Sequence, residues 1–407
     1  MDTAVIGKLG VAEMIGGVAI GTVIMNTLYW LFGFFRVSTT GQSAIALGKN
    51  SPEDQASSLL RPFVLSLCLG LIFIALQSVI WMGGQSLSPL DAVVAENAKI
   101  YFDIMIFGAP FVLLNYTVIG WLMGAGESQR NLVHASVWRA EHRAGYRICV
   151  VLRYGGIAGV AVATLIAQIS TFVIGAVLVL KTCRFPLFDY IQTAKMTRKD
   201  LKVIASSNMD LLLRTVCLLV FFNMMARVGS QLGSDVLAAN AILMQVTFIV
   251  SYMFDGVANA SSVFAGKAVG QKNKTLLDNV IKLNTQWTAA FVVVLTLLLV
   301  QFKHQVVSLF TTLPNLVELY LDMSPWLLAF PLVAGFGLTF YGIFTGTGTT
   351  RPVRNSTFLT MVLFLVTQFI AVQYWGNHGL WLAFTLFYVG RFVFLFPYLG
   401  QVKQKCL

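Results

Sequence analysis

Charged residues are scarce in this chain. Asp, Glu, Lys and Arg make up 11% of 407 residues, where a soluble domain carries about a quarter. With 57% of the residues hydrophobic, too few polar groups remain to cover a fold in water, so its surface has to face lipid. Cysteine is scarce too. The five present (Cys68, Cys149, Cys183, Cys217 and Cys406) form no CxxC pair. Most lie in apolar stretches, which reads as small buried hydrophobes rather than a disulfide or metal framework. There is no P-loop, no HExxH and no Asp-rich prenyl-diphosphate motif, and His134, His142, His304 and His378 are too scattered for a metal site. The reading is therefore not an enzyme, not nucleotide-driven, and without metal or cofactor. Nothing at the N-terminus has the form of a cleavable signal peptide.

What the chain has in abundance is long apolar runs. Ten stretches are long enough to cross a hydrocarbon core of about 30 Å: 11–36, 60–84, 98–123, 156–180, 205–227, 237–264, 279–302, 319–345, 355–375 and 379–400. The net charge of +11 is distributed by loop. Seventeen Lys and Arg residues lie in alternate loops and at the C-terminus, while the intervening loops hold only Lys8, Lys99, Arg227 and Lys303. That is the positive-inside pattern. It puts the C-terminus in the cytoplasm and accounts for the basicity without nucleic acid.

The sequence also repeats itself. Gly48-Lys49-Asn50 recurs near Gly270-Gln271-Lys272-Asn273. Gly120-Trp121-Leu122-Met123-Gly124-Ala125-Gly126 recurs as Gly342-Ile343-Phe344-Thr345-Gly346-Thr347-Gly348, an offset of 222. Val5-Ile6-Gly7 stands opposite Arg227-Val228-Gly229 at the same offset, and Gly156-x-x-Gly159-x-x-x-Ala163 pairs with Gly376-x-x-Gly379-x-x-x-Ala383 at 220. Four weak matches in order, at nearly one offset, imply a duplicated unit. Equivalent loops share a side, so the repeats are parallel, a known transporter plan with substrate held near mid-membrane. The boundaries predicted are an N-lobe at 1–182, a connector at 183–204 and a C-lobe at 205–407.

Two places depart from this pattern. The second half opens with a full span near Ala205, whose counterpart would precede Met1, so residues 1–10 read as the outer end of a truncated first helix. Loop parity also demands a span over 139–153. That segment holds Arg139, Glu141, His142, Arg143, Arg147 and Arg153, and each central Arg costs roughly 2.5–3.5 kcal/mol on insertion scales. Read one nucleotide later, compatible codons can spell an apolar span with an Asn and an Asp four residues apart on one face. The gene's nucleotide sequence tests that frameshift.

The opening Met1-Asp2-Thr3-Ala4-Val5-Ile6-Gly7-Lys8-Leu9 resembles the end of the first helix in the DinF branch of the MATE exporters. Arg36-Val37-Ser38-Thr39-Thr40-Gly41 resembles the signature closing that branch's second helix, and Asp255-Gly256 resembles its eighth. The reconstructed Asn-x-x-x-Asp resembles its fifth. The resemblance covers the chain apart from 139–155. It implies an all-α polytopic membrane protein of twelve helices in two six-helix lobes, with helix 1 mostly missing here. It also implies export of small organic cations or amphipathic drugs coupled to H⁺ or Na⁺, by a monomer in membrane lipid. In that family an Asp on the first helix and an Asn/Asp pair on the fifth bind the coupling ion. Only Asp2 carries over.

Ionisable groups inside a span are functional candidates because desolvating them is expensive. Asp2 is the candidate for proton or cation binding. Asp255, with Asn115, Tyr116, Thr164, Gln168, Asn223, Asn240 and Gln245, is a candidate cavity liner; hydrogen bonding between helices is the competing role for each. Asp210 and Arg214, at i and i+4, read as a structural ion pair. Arg36 reads as lying at a helix end and snorkelling to the interface. Pro110, Pro325 and Pro331 fall in repeat-equivalent helices, where they either permit bending or mark packing kinks. Two alternatives stay open: a lipid-linked oligosaccharide flippase of the same superfold, for which mid-span basic residues are few, and a non-functional frameshifted product.

Overall fold

Every long apolar run becomes a helix, because in hydrocarbon a backbone must satisfy its own hydrogen bonds. The structure, a computed structural model, describes residues 12–86, 92–127, 156–183, 190 and 198–406, and among these there is no strand. Asp2, the segment 139–153 and most of the connector expected at 183–204 lie outside the described residues. The chain divides into two compact units, Met1–Ile204 and Ala205–Leu407.

In the first unit α1 (Ala12–Phe32) and α2 (Phe34–Lys49) meet at Gly33 and form one long span. α3 (Pro52–Ala75) and α4 (Gln77–Ser86) form the next. α5 (Ala92–Met105) leads through a 3-10 turn at Ile106–Gly108 into α6 (Ala109–Gly124), and α7 (Gly156–Thr182) closes the unit. The second unit holds α8 (Arg198–Gln231), most of which falls within it, α9 (Ser234–Gly270), α10 (Lys274–Ser308), α11 (Pro314–Gly346), α12 (Thr350–Val393) and the short α13 (Leu399–Gln404). The span expected at 11–36 runs on to Lys49. Arg36, in the first turn of α2, is therefore not at the end of the span but roughly 20 Å inside it, at 1.5 Å per residue. Arg36 and the Ser-Thr-Thr run after it break the apolar pattern, which is why the sequence places the end too early.

The repeat is visible in backbone geometry, far beyond the four matched motifs. Helix ends at 49, 52, 86, 92 and 124 have partners at 270, 274, 308, 314 and 346. Asn50 (φ 53°) and Lys272 (φ 51°) take the same left-handed cap conformation, as do Gly126 (φ 81°) and Gly348 (φ 66°). Ser51 and Asn273 then cap the next helix, their side-chain oxygens accepting from Asp54 N (3.2 Å) and Leu276 N (2.9 Å). Each of these cap pairs stands at the offset of 222 found in the motifs.

The same holds for packing. Between helices in lipid there is little hydrophobic drive, so close van der Waals approach and hydrogen bonds decide association. A Cβ on Gly120 would lie 2.4 Å from Arg36 O, and one on Gly124 2.4 Å from Thr40 O. On Gly342 it would meet Ala258 O at 2.0 Å, and on Gly346 Ser262 O at 2.1 Å. Both partners in each contact are shifted by 222, so α2–α6 and α9–α11 are one backbone-to-backbone joint built twice. A hydroxyl pair beside it is duplicated too: Ser66 to Thr117, and Thr288 to Thr339, each at 2.8 Å.

The prolines do not repeat in this way. Pro110 opens α6 after the 3-10 turn, while Pro325 and Pro331 sit inside the continuous α11. α12 takes in the expected span 355–375 and most of the last, 379–400, ending at Val393. They are joined without a loop by Gly376 at φ 52°, ψ −125°, a conformation costly for any residue with a Cβ. Asn377 beside it exchanges amide hydrogen bonds with Asn240 (2.8 and 3.0 Å), and Trp381 Nε1 donates to Asn240 Oδ1 at 2.8 Å. The second unit's core gathers around Phe221, which stacks on Phe387 at 4.0 Å and meets Phe364 edge-on at 4.7 Å.

Candidate functional site

In the first unit three of the predicted polar residues come together. Asn115 and Tyr116 sit mid-α6, where the 3-10 turn directs them toward α7, and Asn115 Nδ2 donates to the backbone oxygen of Gln168 at 3.4 Å. The Gln168 amide packs into space left by Gly108, where a Cβ would stand 2.0 Å from its Oε1, and lies beside the Tyr29 hydroxyl. Tyr29 itself donates to Met105 O at 3.4 Å. Asn115 Oδ1 and Gln168 Oε1 are both buried acceptors with no hydrogen-bond partner. That is unusual, since a buried polar atom left unpaired costs about 1–3 kcal/mol. Tyr116 faces this cluster, within electrostatic reach of Tyr29 and Arg36, and Arg36 Nη1 approaches Met123 Sδ at 3.7 Å. Thr164, one turn before Gln168 on α7, is half-buried on the same helix. Sequence reasoning missed Tyr29 and misplaced Arg36. Tyr29 reads as one more aromatic in an apolar run, and only the partner helix reveals its hydroxyl's neighbours.

A separate cleft of about 380 Å³ lies by Trp81, Lys99, Asp103 and Phe107. Its two charges neutralise each other, and none of the predicted residues reaches it.

The second unit treats its predicted residues differently. Asn240 is engaged with Asn377 and Trp381, so it ties α9 to the turn in α12 rather than lining a cavity. Asn223 is exposed and donates to Leu219 O of its own helix at 2.8 Å, and Gln245 is exposed on α9. The predicted Asp210–Arg214 pair needs correction. Asp210, buried, accepts from Arg354 Nη1 at 2.7 Å and from Thr350 Oγ1 at 2.8 Å. The start of α12, far along the chain, supplies better-aligned donors than the next turn of α8. Arg214 instead lies over the Tyr341 ring, 4.2 Å from its centroid. Asp255, half-buried, is within electrostatic reach of Tyr388 and Arg391, as is Arg214. Arg391 is 5% exposed, with its guanidinium 5.7 Å from the Tyr388 centroid. Among the described residues no group of three His, Cys, Asp or Glu is placed to hold a metal.

The MatE family pattern matches residues 1–137 and 211–370. DNA damage-inducible protein F of Escherichia coli (strain K12) is 28% identical over 387 residues, which is 95% of this chain and 84% of that protein. The probable multidrug resistance protein NorM of Thermotoga maritima is 20% identical over 94% of this chain and 83% of its own length. Among solved structures, a MATE in the bent conformation superposes with a TM-score of 0.87 at 19% identity, covering all of this chain and 91% of that one. An outward-facing multidrug resistance MATE family transporter gives 0.85 at 19% identity, with 97% and 90% coverage. At these identities the structures speak for the fold.

Proposed function

The chain belongs to the MatE family, and we propose that it is a secondary antiporter exporting small organic cations or amphipathic drugs by alternating access, driven by an inward cation. The observation that carries this reading is the pair of orphan acceptors in the first unit. Asn115 Oδ1 and Gln168 Oε1 are buried without a donor, beside Tyr29 and Tyr116. A protonated amine brings N–H donors to such acceptors and positive charge to aromatic faces, so it offsets the desolvation penalty of the two unpaired oxygens. Full-length relatives with multidrug resistance in their names support the substrate class. Asp2 is the carboxylate assigned to the coupling ion, H⁺ or Na⁺, because a carboxylate in a partly dry span is able to exchange a proton near neutral pH. The Lys and Arg asymmetry supports a cytoplasmic C-terminus, and the Escherichia coli relative supports a bacterial inner membrane.

Proteoliposomes carrying the full chain test this. A cationic dye should leave against its gradient when a proton or sodium gradient is imposed. Gln168→Leu and Asn115→Leu should each slow flux by about tenfold, the effect of about 1.4 kcal/mol, and Asn223→Ala should leave it unchanged. Dye movement indifferent to both gradients would sink the antiporter reading. A lipid-linked oligosaccharide flippase is the second reading, favoured by Arg214 and Arg391 in the other unit. Those two arginines with Asp255 give a net single positive charge, short of what a diphosphate calls for.

A further inference from the structure

Asp210 shows how a buried charge in this chain is ordinarily satisfied, with Arg354 and Thr350 both donating to one carboxylate. Arg391 departs from that rule. It is 5% exposed inside a membrane span, yet among the described residues its guanidinium has no hydrogen bond and no salt bridge, only the distant ring of Tyr388. Arg214 comes from another helix, α8, and shares the problem. Its Nε is buried without a partner, and its guanidinium is held over Tyr341. The two positive charges are close enough to oppose each other, and Asp255 is the acid within reach of Arg391. Among the described residues two guanidiniums stand against one carboxylate, which leaves one positive charge uncompensated where water is sparse. Such a charge is expensive unless paired and hydrogen-bonded.

We propose that Arg214 and Arg391, framed by Tyr341 and Tyr388, form an anion site in the second unit that takes the singly charged carboxylate or phosphodiester head of an amphiphile. The guanidinium fork matches a planar carboxylate or a phosphate oxygen pair. Arg214 lies 4.2 Å and Arg391 5.7 Å from a tyrosine ring centroid, contacts that engage a guanidinium face and make no use of its N–H donors. One added negative charge brings the cluster to neutrality, so a monoanion fits it better than a diphosphate. The head belongs either to an organic anion in transit or to an anionic membrane phospholipid. This inference goes beyond the exporter reading and does not depend on it, because binding is measured without any gradient.

The experiment uses the purified full chain in phosphatidylcholine nanodiscs, with protein-free discs subtracted. The probes are a dansyl-labelled undecanoate and its trimethylammonium counterpart. The carboxylate should bind saturably, and Arg391→Gln or Arg214→Gln should weaken it at least tenfold while the cationic probe shifts by less than twofold. Arg391→Lys, which keeps the charge but loses the fork, should fall between. If the Arg391 variants do not elute as folded protein, the half-buried Arg214 carries the test alone. Adding phosphatidylglycerol to the discs separates the sources. Competition with the probe identifies a lipid head as the occupant; unchanged affinity assigns the site to an organic anion. The proposal is overturned if the carboxylate binds no more tightly than the cation, or if Arg214→Gln leaves its affinity within twofold.

Discussion

Gly120 and Gly342 press against backbone carbonyls at equivalent positions of the two repeats, and Gly124 and Gly346 do the same. One or two helical turns away, the units part company. At the offset of 220 seen late in each half, Gln168, with its unpaired Oε1, corresponds to Tyr388, and Thr171 corresponds to Arg391. At the offset of 222, Asn115 corresponds to Gly337. So one place in the repeat offers neutral hydrogen-bond acceptors in the first unit and a cationic, aromatic surface in the second. Duplication has preserved the joints, where a single methyl group would collide with backbone, and released the interior, where side chains of many chemistries fit. Glycine at a joint is dictated by distance, whereas the residue facing an internal space is set by what has to be bound.

That contrast is open to attack at its strongest point. Gly120→Val and Gly342→Val should each destabilise the fold by about 3 kcal/mol or more, since an overpacked contact against backbone has nowhere to relax. Thermal unfolding in detergent would show it. If one unit tolerates the change and the other does not, the joints are not equivalent.

The next effect belongs to the second unit alone. Arg354→Gln leaves Asp210 charged and buried, with its side chain 3% exposed, whereas Asp210→Asn leaves an arginine that is 37% exposed and able to find water. Losses of about 3 and about 1 kcal/mol follow respectively. The reverse order, read from the same unfolding curves, would mean that Asp210 is held by something other than Arg354.

A smaller test sharpens the likeness between the units. Ser66→Ala and Thr288→Val each remove one partner of a duplicated hydroxyl pair. Each should cost about 1 kcal/mol, and the two values should agree to within half of that. The smallest effect is kinetic. Burial pushes the Cys183 thiol up to about 11, so at neutral pH it holds far less thiolate than a free cysteine and labels slowly with maleimide. Its rate should climb about tenfold per pH unit up to that value, because the thiolate is the reacting form. A plateau near pH 9 would show the thiol to be solvated.

The sequence alone disclosed most of the architecture, for a physical reason. A span must be apolar over its whole length, and that requirement is written into consecutive residues. The duplication is legible in Gly120–Gly126 and Gly342–Gly348 because close helix contacts constrain residue type and spacing together. What escapes is pairing across helices. Asp210 reads as the neighbour of Arg214 because helical periodicity exposes only contacts along one helix, and Arg354 lies on a helix far down the chain. Asn240 reads as a cavity liner for the same reason, its partners Asn377 and Trp381 being equally remote in sequence. Arg36 is misplaced because a charged residue in an apolar run looks like its end. The predicted Asn115, Tyr116 and Gln168 do converge, whereas Asn223 and Gln245 do not.

The glycine joints also bear on how such a chain is made. Gly120 meets Arg36, and Gly342 meets Ala258, each with at least one further helical span between the two in the chain. Neither contact is able to form until the later helix has left the insertion machinery and entered the bilayer. Until then the earlier helix, with Arg36 partway along it in the first unit, waits in lipid without its partner. Each glycine joint therefore closes only after its later helix has joined the bilayer, and in the first unit the helix that waits is the one carrying Arg36.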